Sequence, residues 1–178
     1  MFLVRAPITA AAVLVAVQAF AQITRDDALA AVYPGATVRT EQVFLTPPQQ
    51  KQAGMNADAA MTTALVARYI ATKDGKVVGR AYIDTHIVRT KRESLLISLD
   101  AQRRVMRVDV TAFLEPSEFR APAPWLRQYG GRALDGDLSV NRAIRPIAGA
   151  TLTARAVNDA VRRVLAIDEV LATAGGAR

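Results

Sequence analysis

The chain has 178 residues, of which 51% are hydrophobic, and its formal net charge is +7, a composition that suits one domain with an apolar core. It contains no cysteine and one histidine, which excludes disulfides, iron–sulfur clusters, Cys-x-x-Cys-His haem attachment and a metal site built from several histidines. The positive charge suits an anionic cofactor or an acidic partner surface. Nucleic-acid binding is a poor explanation of the positive charge, because no basic cluster alternates with aromatic residues.

Residues 1–21 have the pattern of a secretory signal peptide. Arg5 precedes a short uncharged run, and residues 19–21 read Ala-Phe-Ala, which is an A-x-A cleavage pattern. The run is shorter than the roughly 20 apolar residues that cross a membrane. We predict cleavage before Gln22, which leaves a single domain over residues 22–178, with a charge of +6 once Arg5 is lost, in the periplasm or another extracytoplasmic compartment. An uncleaved N-terminal anchor is the alternative.

A short helix and a loop are predicted next. Thr24 has the chemistry of an N-cap for a helix over residues 25–33, and Pro34-Gly35 ends that helix. Residues 46–61 contain Pro, Gly, Gln and Asn without periodicity, so we predict a loop there.

Two hairpins follow, each marked by a turn between two strand-like runs. The four predicted strands are residues 63–72, 76–85, 94–99 and 104–113. Helices over residues 125–130 and 152–172 are expected to pack on this sheet. The predicted fold class is therefore α+β, an antiparallel β-sheet of two hairpins with helices packed on one face.

The segment between the hairpins, residues 84–93, contains His86 and Arg89. Threonine, histidine and arginine side chains at the end of a strand could line a ligand pocket. The same residues also fit a charged surface connection between two hairpins. The residues alone leave both interpretations open.

A run of small residues precedes the last predicted helix. It reads Gly149-Ala150-Thr151-Leu152-Thr153 from its glycine onward, and its small side chains would let a ligand approach the backbone. Since the free N–H groups of a first helical turn attract anions, Thr151 lies where a phosphate would be held. The alternative is an ordinary loop with an N-terminal cap.

Helical spacing predicts that one face of this last helix is apolar and the other is polar. The apolar face contains Val157, Ala160, Val161, Val164 and Leu165. The polar face contains Arg155, Asp159, Arg162 and Arg163.

The Gly-Ala-Thr segment resembles the signature of the FMN-binding domain of sodium-pumping NADH:quinone oxidoreductases and Rnf-type complexes, and still more that of small exported members of this family. The signature reads Asp-x-x-(Ser/Thr)-Gly-Ala-(Thr/Ser), and its last residue can carry FMN through a phosphoester bond made by a flavin transferase. The resemblance assigns that role to Thr151. Arg145 stands where the family has Asp, and Ala148 where it has Ser or Thr. Arg145 is either a phosphate ligand or a solvated surface arginine.

The resemblance extends over roughly residues 62–165. Glu115-Pro116 is similar to a shortened form of the Glu-Thr-Pro-Gly turn that the family places close to the isoalloxazine ring. Residues 125–131 are similar to the aromatic-Gln-aromatic-Gly segment that precedes the flavin loop. Exported relatives have a Thr-His-x-Val-Arg-Thr run like the one around His86, which supports a place for His86 or Arg89 near the dimethylbenzene ring or the phosphate of the flavin.

The resemblance implies an exported FMN-binding protein that carries electrons in the cell envelope. Its cofactor-binding residues would be Gly149, Ala150, Thr151, Leu152, Thr153, Glu115, Pro116, Arg145 and His86. No catalytic residue and no metal are expected, since the flavin supplies the chemistry. The implied partners are a membrane-bound or periplasmic redox protein, and a flavin transferase if the FMN is covalent. The alternative is a cofactor-free exported binding or scaffold domain of the same fold, which Arg145 and Ala148 favour.

Overall fold

The computed structural model describes residues 23–175, so the predicted signal peptide and its cleavage site lie outside the described residues. Within them the chain forms five strands and four α-helices. In chain order these are α1 (Arg25–Val32), β1 (Thr37–Phe44), α2 (Pro47–Ala57), β2 (Leu65–Lys73), β3 (Lys76–Ile87), β4 (Arg92–Asp100), β5 (Val105–Phe113), α3 (Ala123–Leu126) and α4 (Thr151–Gly175). No helix within the described range is long and apolar enough to cross a membrane.

The five strands form one antiparallel sheet in the order β1-β2-β3-β4-β5, so each strand pairs with its neighbours in the chain. The predicted hairpins are the β2–β3 and β4–β5 pairs. Asp74 and Gly75 join the first pair with φ angles of 52° and 74°, as a two-residue hairpin turn with positive φ at both positions requires. The α+β class and the antiparallel sheet are therefore confirmed.

The loop predicted over residues 46–61 is wrong, because most of it forms α2. Thr46 and Gln49 form a capping box in which each side chain accepts a hydrogen bond from the other residue's backbone N–H. The prolines stand at the first two helical positions, where a missing N–H costs little. Ala53 and Ala57 are fully buried, so packing against α4 stabilises a helix whose sequence has little periodicity of its own.

Strand β1 was not predicted either. It lies at the edge of the sheet, and most of its side chains are exposed or half-buried. A strand with so little apolar alternation gives a weak sequence signal. The helix predicted over residues 25–33 is confirmed as α1, and the Thr24 hydroxyl accepts a hydrogen bond from the Asp27 N–H at 3.2 Å.

The sheet has an apolar core on each face, because successive side chains of a strand point to opposite faces. Tyr82 of β3 packs in the core that contains α2 and α4, whereas its neighbour Ala81 packs against α1. Helices α3 and α4 lie on the same face, as predicted, and α1 covers part of the opposite face. The predicted apolar face of α4 is confirmed, with Val157, Ala160, Val161, Val164 and Leu165 all buried.

Tyr33, which follows α1, anchors that helix to the sheet. Its hydroxyl lies 2.7 Å from the carbonyl oxygen of Arg80 and 2.8 Å from that of Leu99. The ring crosses the sheet above Gly79, where a Cβ atom would overlap both the Tyr33 ring and the Leu99 carbonyl oxygen. Glycine at position 79 is therefore required by this close approach.

Candidate functional site

Glu115, predicted near the flavin ring, closes the turn between β3 and β4. Its Oε1 atom accepts hydrogen bonds from the backbone N–H groups of Arg89, Thr90 and Lys91 at 3.2, 2.6 and 2.7 Å. The N–H groups of Thr90 and Lys91 hold the pKa of Glu115 below its ordinary value, because they stabilise the charged carboxylate. One oxygen of Glu115 is thus committed to the backbone of this turn.

A second set of contacts joins this turn to the beginning of α4. The guanidinium carbon of Arg89 lies 4.6 Å from the centroid of the Phe119 ring, which is a cation–π contact. The backbone carbonyl of Phe119 accepts a hydrogen bond from the hydroxyl of Thr153 at 2.7 Å. Pro116 precedes this segment, and its carbonyl accepts the Phe119 N–H at 3.0 Å. The structure therefore brings the Glu-Pro turn and the first turn of α4 to the same end of the molecule.

The Gly-Ala-Thr segment forms the tight turn that starts α4. Gly149 has a φ of +75°, a conformation that residues with a side chain rarely adopt, and the Ala150 N–H bonds to the Ile147 carbonyl at 3.1 Å. Thr151 and Leu152 are exposed. Since Ala150 has no polar side chain, it cannot cap the free N–H groups of the first turn. An exposed hydroxyl therefore lies beside N–H groups of the first helical turn that have no acceptor among residues 23–175.

Arg145 lies on the loop that leads into this turn. Its backbone N–H donates to Gln128 Oε1 at 2.9 Å, and its carbonyl accepts from Trp125 Nε1 at 2.6 Å. The Trp125 ring packs edge-on against Tyr129, with 5.7 Å between ring centroids. The segment that resembles the family's aromatic-Gln-aromatic-Gly run thus holds the loop in place, and the Arg145 side chain is exposed.

His86 is buried in a chain of charged groups on the inner face of the sheet. Its Nδ1 lies 2.8 Å from Asp84 Oδ1, and its Nε2 lies 3.1 Å from Glu93 Oε2. Burial alone would lower the pKa of His86, but the hydrogen bonds to Asp84 and Glu93 outweigh burial and raise the pKa to about 9. His86 is therefore protonated at neutral pH and donates from both ring nitrogens, which leaves neither nitrogen free for a ligand.

The chain of charged groups continues into α4 through Arg163, which binds both carboxylate oxygens of Asp84. The prediction that Arg163 lies on the polar face of α4 is wrong, since it is 5% exposed. The sequence of β3 does indicate a buried cation, because Asp84 and His86 occupy successive inward positions after Tyr82. Ionisable side chains on the inner face of a sheet require a buried partner of opposite charge.

Sequence analysis also missed a groove beside β5. Its volume is about 1050 Å³, and the segment after β5 forms one of its walls. Val108, Val110, Phe113 and Leu126 give it an apolar floor, and Glu115 lines it as well. The groove is open to solvent, and Asp109, Glu118 and Arg120 also line it; an apolar cleft with a few polar groups is a common form of small-molecule site.

No protein-family model matches the chain, and comparisons with curated proteins and with solved structures found no match. Any functional assignment therefore depends on the residues at this end of the molecule and on their geometry. The contacts that matter most are those of Glu115, Phe119 and Thr153, which connect segments far apart in the sequence.

Proposed function

We propose that the protein is an exported FMN-binding electron carrier, with the FMN phosphate at Gly149-Ala150-Thr151 and the ring toward Glu115-Pro116. The observation that supports this most is the way in which separate segments of the family resemblance meet. The Glu115 turn and the first turn of α4 are connected through Phe119.

The residues present fit a flavin phosphate by their chemistry. The uncapped first turn of α4 provides N–H donors and the positive end of a helix dipole, which favour an anion. A Cβ atom at Gly149 would meet nothing within 4 Å, so this side of the turn is open to a ligand. Glu115 lines the groove beside β5, so a ring that lies toward Glu115 would have an apolar surface available to it.

In the covalent form of the proposal, the Thr151 hydroxyl oxygen joins the flavin phosphorus and the hydroxyl proton passes to the transferase. The donor is a flavin dinucleotide, whose phosphoanhydride P–O bond breaks as the Thr151 bond forms, so that a nucleoside monophosphate leaves. Arg145 and Ala148 differ from the family signature at positions that such a transferase would contact. Non-covalent binding at the same turn requires only the N–H donors and a nearby cation.

The bound flavin would supply the redox chemistry by accepting and giving up one or two electrons. The protein would bind the phosphate, orient the ring and set the local charge, so no side chain has to act as an acid or a base. The proposed partner is a membrane-bound or periplasmic redox protein with an acidic surface, to which a positively charged carrier is steered. Salt should weaken this docking, because exposed charges are screened over about 10 Å at 0.1 M.

The decisive experiment is co-expression with a flavin transferase, followed by intact-mass measurement and a visible spectrum. We expect a yellow protein whose mass includes one FMN and whose first residue is Gln22. Thr151→Ala should abolish covalent loading, and Thr151→Ser, the matched control, should retain it because it keeps the hydroxyl. Rapid oxidation of NADH by the purified protein alone would contradict the role of a carrier.

A second candidate is a cofactor-free exported scaffold domain. The observation that favours it is that Glu115 and His86, two of the predicted flavin contacts, already use polar atoms in internal hydrogen bonds. The same co-expression separates the two candidates. A protein that stays colourless and also fails to bind added FMN is the scaffold.

A further inference from the structure

We propose that the uncovered end of the outer face of the sheet, the face on which α1 packs, binds the surface of an anionic lipid membrane. This inference is independent of bound flavin. Four large apolar side chains form the surface, which we call the open sheet face. They are Phe44, Leu65, Ile87 and Leu114, with 72%, 49%, 55% and 57% of their surface exposed.

The strand register places these four side chains on one face. Phe44 and Leu65 are direct cross-strand partners in β1 and β2, and Ile87 pairs with Arg92 across β3 and β4. Leu114 continues the ladder beyond β5, since its N–H donates to the Arg92 carbonyl at 3.0 Å. Side chains alternate between the two faces along a strand. Neighbours of these residues in the chain pack in the opposite core, with α4: Val43, Val66 and Phe113.

Helix α1 covers only one end of the outer face. Among the outward side chains of β3, Ala81 is fully buried in the cluster that contains α1, Ile83 is half-buried, and Thr85 and Ile87 are exposed. The open sheet face is the part that α1 does not reach. Apolar side chains grouped in this way, unlike scattered ones, mark an interaction surface.

The charged groups beside this face are mainly positive. The turn between β3 and β4 and the start of β4 supply Arg89, Lys91 and Arg92, all exposed. The ion pairs among residues 23–175 involve none of these three. The neighbouring carboxylate, Glu115, accepts backbone N–H groups of the same turn. Apolar side chains edged by cations complement the phosphates and acyl chains of an anionic membrane.

A second copy of the chain would fit the open sheet face poorly. Arg92 is paired with Ile87, and its carbonyl binds the Leu114 N–H, so its charge stands among the apolar side chains. A face-to-face dimer would bury that charge against another positive face, which is costly without a partner of opposite charge. At a membrane surface the apolar side chains can enter the acyl boundary while Arg92 reaches a lipid phosphate.

The first test measures cosedimentation of the protein, in the form that the cell produces, with vesicles of phosphatidylcholine alone or mixed equally with phosphatidylglycerol. We expect binding to the anionic vesicles only. Ile87→Ser should weaken it about 10-fold, as for burial of a large apolar side chain, and Arg92→Gln about fivefold. Met55→Ser and Arg155→Gln are the matched controls, since they change exposed residues of α2 and α4 on the other side of the sheet. Both should bind as the wild type does.

A second test locates the contact. Because the chain has no cysteine, a single introduced cysteine can carry a polarity-sensitive fluorophore. Anionic vesicles should shift the emission of a label at Ile87→Cys to shorter wavelength and leave a label at Met55→Cys unchanged. Thermal unfolding verifies that each variant is folded.

Three results would overturn the proposal. One is that the wild type binds neither kind of vesicle. Another is that Ile87→Ser binds as Met55→Ser does, or that the two labels respond equally. The third is a shift of the Ile87→Cys label that depends on protein concentration in the absence of lipid, which would assign the open sheet face to a second copy of the chain.

Discussion

Arg163 of α4 binds both carboxylate oxygens of Asp84 in β3, with distances of 2.8 and 2.9 Å, and both side chains are almost completely buried. Burial alone would raise the pKa of Asp84, but the hydrogen bonds from His86 and Arg163 outweigh it and hold the pKa below its ordinary value. The pair fixes α4 against the strand that ends at the candidate site. Loss of Asp84 would leave the buried Arg163 charge without its carboxylate, and loss of Arg163 would leave Asp84 with His86 as its remaining partner.

The first prediction is that Arg163→Ala lowers the free energy of unfolding by about 3–5 kcal/mol, because it breaks a buried ion pair and leaves the Asp84 carboxylate with His86 as its remaining partner. Urea unfolding at pH 7 measures the loss. Arg155→Ala, on the exposed face of the same helix, is the matched control and should change stability little. Equal losses of unfolding free energy in the two variants would show that the buried pair stabilises the fold no more than an exposed arginine does.

The second prediction concerns pH. The pKa of His86 is raised from 6.5 to about 9 in the folded protein, so its protonated form stabilises the fold. This contribution is complete below pH 6.5, decreases as the pH rises, and is lost above about pH 9. The largest possible change is about 3 kcal/mol. Unfolding of the wild type and of His86→Gln should be compared from pH 6 to 9.5, and a parallel pH dependence in the two would contradict this role.

The third prediction is that Gly79→Ala destabilises the protein by about 1–3 kcal/mol, as overpacking does in well-packed interiors. The added methyl group would have to displace the Tyr33 ring or the Leu99 carbonyl. Gly136→Ala is the control, because a Cβ atom there meets nothing within 4 Å. Chemical denaturation of both variants measures the difference, and an unaffected Gly79→Ala protein would mean that Tyr33 moves aside at little cost.

The fourth prediction concerns the turn between β3 and β4. Glu115→Ala removes the acceptor for the Thr90 and Lys91 N–H groups, so these amides should exchange faster with solvent than in the wild type. Glu118→Ala, the exposed control, should leave them unchanged. Since the pKa of Glu115 is lowered, protection in the wild type should persist below the pH at which an ordinary glutamate is protonated. Unchanged amide exchange in Glu115→Ala would disprove the anchoring role.

Sequence reasoning succeeded where the structure is determined locally. The Asp74-Gly75 turn needs positive φ at two successive residues, and few residue pairs other than Asn-Gly and Asp-Gly supply it. It failed for β1 and α2, whose stability comes from partners distant in the chain. Ala57 at the end of α2, for example, is buried only because α4 packs on it.

The candidate site likewise has some features that the local sequence predicts and others that depend on distant partners. Gly149 has a positive φ, which glycine adopts more readily than other residues, and Thr151 begins the last helix within one residue of the predicted start. The pairing of Asp84 with Arg163 joins positions 79 residues apart. No local pattern specifies such a pair, and helical spacing alone therefore put Arg163 on the wrong face of α4.

The position of α4 in the chain also has a consequence for biogenesis. The ribosome makes this helix after every strand of the sheet, yet it supplies Val157, Val161 and Val164 to the main core as well as Arg163. Until it emerges, the inner face of the sheet lacks the apolar side chains of α4, and Asp84 lacks its arginine partner. The main core of the sheet is therefore completed only when the last part of the chain has been synthesised.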